Sequence, residues 1–182
     1  MGTAHALPEL TTWIRANWDR TATTDHDGSG FAGIDLPHPY TTPCIRDAGK
    51  FSFFFYWDTY FTNLGLLRQQ RLDLTRSNID NMIWLIRRHG FMPNHVGIDH
   101  RTQAPYFGLM VAEHADALAA DAADDAGPEA EDRQRFLEHA ADYVRQEYFF
   151  WREARSTSLA LVRCGQSATR EYLERFYDGT LV

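Results

Sequence analysis

Leu72-Asp73-Leu74-Thr75-Arg76-Ser77-Asn78-Ile79-Asp80-Asn81-Met82-Ile83-Trp84-Leu85-Ile86-Arg87-Arg88-His89-Gly90 is the stretch whose reading decides the class of fold. Leu72, Thr75, Ile79, Met82, Ile83 and Ile86 recur at the helical period and form one stripe, with polar residues between them. Three cations occupy the last turn, where the helix dipole favours positive charge, and Gly90 follows as a C-terminal stop. One amphipathic helix is therefore predicted over 72–89.

Toward the N-terminus, residues 55–70 place Trp57, Tyr60, Phe61, Leu64 and Leu67 on a single helical face, closed by Arg68, Gln69 and Gln70. Residues 22–50 follow no period, and their glycines and prolines predict a long loop or wrapping arm. Before it, Leu10, Trp13, Ile14 and Trp18 mark a short helix from Leu7 to about Thr21. Toward the C-terminus, residues 91–105 form a polar connection too long for a simple helical hairpin. A helix carrying Leu109, Met110, Ala117 and Leu118 is expected over 106–121, and Asp124-Asp125-Ala126-Gly127-Pro128 breaks it. Another long helix is expected over 129–154, with Phe136, Ala140, Tyr143, Val144, Phe150 and Trp151 as its apolar positions. Ala168 to Phe176 suits a last, shorter helix. Five or six helices with no convincing strand read as an all-α fold of stacked hairpins.

At 182 residues and 44% hydrophobic content, the chain can bury most of one domain core. A net charge of -7 with both signs interspersed argues against nucleic acid as a partner. No apolar run is long enough to span a bilayer, and Met1 to Pro8 has no secretory pattern, so no membrane partner and a cytoplasmic location are expected. Cys44 and Cys164 stand far apart without a CxxC and read as ordinary thiols. His89, His95, His100 and His114 show no HExxH or similar ligand spacing and are expected to be solvated. No metal and no cofactor are implied.

Chemistry concentrates in two places. From Phe51 to Phe61, eight of eleven residues are Phe, Tyr or Trp, which makes the single acid Asp58, beside Trp57, stand out. Sugars require that pairing, because their C–H faces stack on rings while their hydroxyls seek a carboxylate acceptor. Packing is the commoner use of an aromatic stripe, with Asp58 then a local cap. The second place is the 91–105 connection, where Asn94, Arg101 and Gln103 offer amide and guanidinium groups able to grip several hydroxyls, although such loops are more often merely solvated.

Both places resemble motifs of the trehalase family, glycoside hydrolase family 37, in order and spacing. Ala48-Gly49-Lys50-Phe51, Tyr56-Trp57-Asp58-Thr59-Tyr60-Phe61 and Leu64-Gly65-Leu66 resemble its Pro-Gly-Gly-Arg-Phe, Tyr-Trp-Asp-Ser/Thr-Tyr-Phe and Leu-Gly-Leu blocks. Gly90-Phe91-Met92-Pro93-Asn94 and Arg101-Thr102-Gln103-Ala104-Pro105 resemble its Gly-x-Ile-Pro-Asn and Arg-Ser-Gln-Pro-Pro blocks. Val162-Arg163-Cys164 and Thr169-Arg170-Glu171-Tyr172 stand where it has Asn-Arg-Tyr and Arg-Pro-Glu-Ser-Tyr. The departures are Lys50 in place of Arg, a shortened interval from Asn94 to Arg101, and Phe53, Phe54 and Phe55 where the family's first motif carries a Glu.

The resemblance implies a partial (α/α)6 toroid, with residues 1–35 as an N-terminal helix and arm and 36–182 as an incomplete glycosidase domain. It implies α,α-trehalose as substrate, cleaved to two glucoses with inversion. Lys50, Trp57, Asp58, Asn94, Arg101, Gln103, Arg170 and Glu171 are the residues carried over as substrate-binding. The family's general acid and base lie beyond the matched blocks, so the chain alone is expected to be truncated and inactive. Unclosed helix faces would favour self-association. A toroid glycosidase for another glucoside or mannoside, a non-catalytic sugar-binding remnant and a structural helical module are the competing readings.

Overall fold

The computed structural model describes residues 6–23, 36–45, 53–98, 100–121, 127–159 and 161–162. Helix α1 (Ala6–Asn17) runs into a 3-10 turn at Trp18–Arg20, and short strands β1 (Ala22–Thr23) and β2 (Tyr40–Thr41) follow. Then come α2 (Tyr56–Arg68), α3 (Leu72–His89), α4 (Phe107–Asp121) and α5 (Pro128–Phe149), which continues as a π-helical turn, Phe150–Ala154. The fold is all-α. Among the described residues no helix is long and apolar enough to cross a membrane.

The stretch 72–89 forms the helix that its period predicts. Thr75, Ile79, Met82, Ile83 and Ile86 are buried, and α3 packs on α2, α4, α5 and β2. Gly90 closes it in the left-handed region at φ 83°, its N–H donating to the Ile86 carbonyl at 2.8 Å. Side chains other than glycine resist that conformation. Pro128 in the first turn, after Gly127, opens α5 where the Gly-Pro signal puts the break.

The structure corrects the reading of α2. Its expected apolar stripe is not its buried face: Trp57 is 46% and Phe61 58% exposed, Tyr60, Leu64 and Leu67 are partly buried, and Tyr56, Thr59, Asn63 and Leu66 are the buried positions. Thr59 and Asn63 make that inner face partly polar, and Asn63 meets α3 and α4 through its amide. Asn78 Nδ2 donates to Asn63 Oδ1 at 2.8 Å, and Asn63 Nδ2 approaches Met110 Sδ at 3.5 Å. On α4, likewise, Leu109 lies outside and Phe107, Met110, Val111 and Ala115 enter the core.

Contrary to the strandless reading, Ala22 pairs with Thr41 and Thr23 with Tyr40 in an antiparallel ladder. Too short to show a period, it is held down by buried amides of α3. Asn78 Oδ1 accepts from the Thr41 N–H, Asn81 Oδ1 accepts from the His38 N–H, and Asn81 Nδ2 donates to the His38 and Pro39 carbonyls. Trp18 anchors the first segment: its indole N–H donates to Gln69 Oε1 at 2.7 Å, and its ring lies where a Cβ on Gly65 would meet it at 3.0 Å.

Two further readings change. The helix expected over 129–154 is α-helical only to Phe149. The π-turn lets the adjacent Phe150 and Trp151 both find inward contacts, Phe150 stacking on Phe91 at 4.6 Å while Trp151 is buried. The histidines are not uniformly solvated, since His95, His100 and His114 are buried. His114 Nδ1 pairs with Thr75 Oγ1 at 2.9 Å, and desolvation in that setting lowers its pKa to about 4. The helix expected over Ala168–Phe176 lies outside the described residues.

Candidate functional site

Helix α2 starts without a side-chain cap of its own. Its N-cap is Phe55, which has no oxygen to offer the first free N–H groups. The caps arrive from the 91–105 connection instead. The Tyr56 N–H donates to the Asn94 carbonyl at 3.0 Å, and the Trp57 N–H donates to Gln103 Oε1 at 3.1 Å. Asn94 in turn donates its N–H to the Arg101 carbonyl at 2.9 Å, and the Thr102 hydroxyl donates to the Met92 carbonyl. Phe55 also bridges His95, with the Val96 N–H donating to the Phe54 carbonyl at 3.2 Å.

These main-chain ties gather Trp57, Asp58, Asn94, Arg101 and Gln103 around one helix end. No described residue donates to the Asp58 carboxylate or pairs with it, and the Asn94 amide is likewise open. Arg101 Nε is enclosed without a hydrogen-bond acceptor. Gln103 spends its oxygen on the helix and keeps its NH₂ donors. A half-exposed indole and an unengaged carboxylate therefore open a helix whose start is tied to the segment that carries Asn94, Arg101 and Gln103. Such groups satisfy one another or water unless a polar ligand engages them. The aromatic surface continues through Tyr60, stacked on Tyr106 at 4.5 Å, and Phe61, 5.9 Å from Tyr106.

Burial first, with the Arg101 and His100 charges adding to it, holds His95 below its ordinary value, against the pull of the Val96 carbonyl. His95 lies 5.6 Å from Phe53 in a stacked arrangement and 4.8 Å from Phe55. Lys50, Arg170 and Glu171 lie outside the described residues. Among those residues, no group of three or more His, Cys, Asp or Glu is placed to hold a metal ion.

Sequence reasoning missed one buried polar pair beside the candidate site. Behind Trp57, the Tyr56 hydroxyl donates to Glu147 Oε1 and accepts the Phe107 N–H at 2.9 Å. Glu147 is 4% exposed, and burial, opposed by the Tyr56 hydrogen bond, raises its pKa to about 7. Tyr56 is pushed well above its ordinary value, by burial first and then by the Glu147 charge. A signal was present: Glu147 falls between Val144 and Trp151 on the same stripe as Phe136 and Ala140, where an acid has no place unless it is paired.

A family profile described as Trehalase matches residues 7–178 of the chain. The chain is also 32% identical over 151 residues to a protein named periplasmic trehalase from Xanthomonas oryzae pv. oryzae (strain MAFF 311018). That match takes in 82% of this chain and 22% of the relative, so the chain spans less than a quarter of that relative's length.

Proposed function

Because the chain belongs to the trehalase family, we propose that Trp57, Asp58, Asn94, Arg101 and Gln103 bind one glucose unit of α,α-trehalose, as part of a trehalase-type glycoside hydrolase. The observation that carries this reading is the open hydrogen-bonding set assembled around the exposed Trp57. Trp57 supplies a stacking wall for the C–H face of the ring. Asp58 accepts from two hydroxyls, while Arg101, Asn94 and Gln103 donate to ring and hydroxyl oxygens. Lys50 joins this set as a point charge, without the planar fork of an arginine.

Inverting hydrolysis requires an acid and a base about 6.5–9.5 Å apart, leaving room for the attacking water. We assign both to residues outside those described, and Asp58 to binding alone. In the toroid this reading implies, α2–α3 and α4–α5 are successive hairpins around the pocket. Glucose release is then expected to need more than the described residues supply.

The test is calorimetric titration of the chain with trehalose, glucose, maltose and methyl mannoside. Trehalose or glucose should bind saturably, and Asp58→Asn should weaken binding about tenfold or more, the equivalent of 1.4 kcal/mol or above. Preference for another glycoside would change the substrate, and absence of all binding would sink the sugar reading.

A further inference from the structure

Glu147 sits where three elements meet. On α2, Tyr56 is the residue directly before Trp57 and Asp58. On α4, Phe107 is the first residue after the loop that carries Arg101 and Gln103. The Tyr56 hydroxyl joins both, accepting the Phe107 N–H and donating to Glu147 Oε1 on α5. We propose that Glu147 is the positioning residue of the sugar site: through Tyr56 it holds the first turns of α2 and α4 in register, and losing its proton releases them.

This rests on the sugar-binding reading and deepens it. The geometry allows few other outcomes for the proton. Beside Glu147 lies a cavity of about 240 Å³, lined by Pro105, Gly108, Val144, Glu147, Tyr148 and Trp151. The Tyr56 hydroxyl from α2 meets the carboxyl, and the cavity beside it is closed by Pro105 and Gly108 on one side and by Val144, Tyr148 and Trp151 of its own helix on the other. Arg152 is turned to the Tyr148 hydroxyl at 3.3 Å, and Arg145 to Asp142 at 2.6 Å. The balance therefore lies between burial, which favours the neutral acid, and the Tyr56 hydrogen bond, which favours the carboxylate; burial is the larger. Once ionised, Glu147 requires water. The cavity gives water an approach.

The test uses the whole chain and three proteins: the parent, Glu147→Gln and Tyr56→Phe. Glutamine keeps an oxygen for the Tyr56 hydroxyl and has no proton to lose. Trehalose affinity and exchange protection of the Phe107 amide, corrected for its intrinsic rate, are measured between pH 5.5 and 8.5. In the parent both should fall about tenfold as pH rises through 7. Glu147→Gln should stay flat near the parent's low-pH values, and Tyr56→Phe should be unprotected at Phe107 throughout. A pH slope in Glu147→Gln equal to the parent's, or a flat parent, overturns the proposal. Should the parent bind no sugar at any pH, the sugar-binding reading fails, while Phe107 protection still decides whether Glu147 holds the two helix starts.

Discussion

Helices α2 and α3 look alike in sequence and do opposite things. Both carry an apolar stripe at helical spacing, yet that of α3 is buried against three helices and that of α2 is only partly covered, with Trp57 and Phe61 exposed. The difference lies in what surrounds each stripe. Among the polar residues of α3 that enter the interior, Asn81 is engaged by the arm backbone and Asn78 by Thr41 of the arm and Asn63 of α2, whereas Asp58 at the start of α2 has no partner among the described residues. An apolar stripe records where rings are collected, but its side of the protein depends on whether neighbours can close over it.

The largest expected effect breaks this comparison most directly. Ile86→Ala should cost about 2–5 kcal/mol of folding stability, because Ile86 is fully enclosed. Trp57→Ala should leave chemical denaturation within about 1 kcal/mol of the parent while abolishing sugar binding. Equal destabilisation by the two would mean that Trp57 is core.

A pH effect of similar size comes from the pair of buried titrating groups. Glu147 has a folded pKa of about 7 against 4.5 for an ordinary glutamate, so its contribution is complete below pH 4.5 and lost as pH rises through 7. That displacement corresponds to about 3 kcal/mol. His114 runs the other way: its pKa of about 4, below the ordinary 6.5, means stability is complete above pH 6.5 and lost as pH falls through 4. The two slopes oppose each other between pH 4.5 and 6.5, so thermal melts should show a broad plateau there with a shallow fall on either side, and Glu147→Gln should remove the alkaline fall.

Smaller effects sharpen the contrast within α2 itself. Gly65→Ala would gain helix propensity, but the new Cβ would sit 3.0–3.1 Å from the Trp18 ring. A net loss of about 1–2 kcal/mol in denaturant titration is expected. Smallest is Gln70→Gly. Gln70 ends α2 at φ 58°, with the Arg71 N–H donating back to the Leu66 carbonyl, so glycine should raise stability by about 0.5–1 kcal/mol.

Much of the candidate site was legible. Asp58 amid rings, and Asn94, Arg101 and Gln103 in a loop too long to be a connector, were readable from residue type and spacing. The ties that unite them were not, because Gln103 caps α2 from 46 residues away and Asn94 does so with its carbonyl, which no side chain announces. Tyr56 and Glu147 were hidden differently. Each reads locally as a helix residue, and only their meeting across 91 residues makes a buried pair.

By itself the sequence determined the described long helices, the Gly90 and Gly-Pro stops, the family and the residue types of the candidate site. These depend on short-range periods, backbone preferences and the run of a few motifs, all carried within a turn or two of chain. Tertiary structure alone decided which face of α2 is inside, that the arm forms a ladder on α3, that the α5 helix widens after Phe149, and that a buried acid stands behind Trp57. Those outcomes depend on which distant groups satisfy the hydrogen bonds of each buried polar atom, and on which surfaces remain uncovered once they have done so.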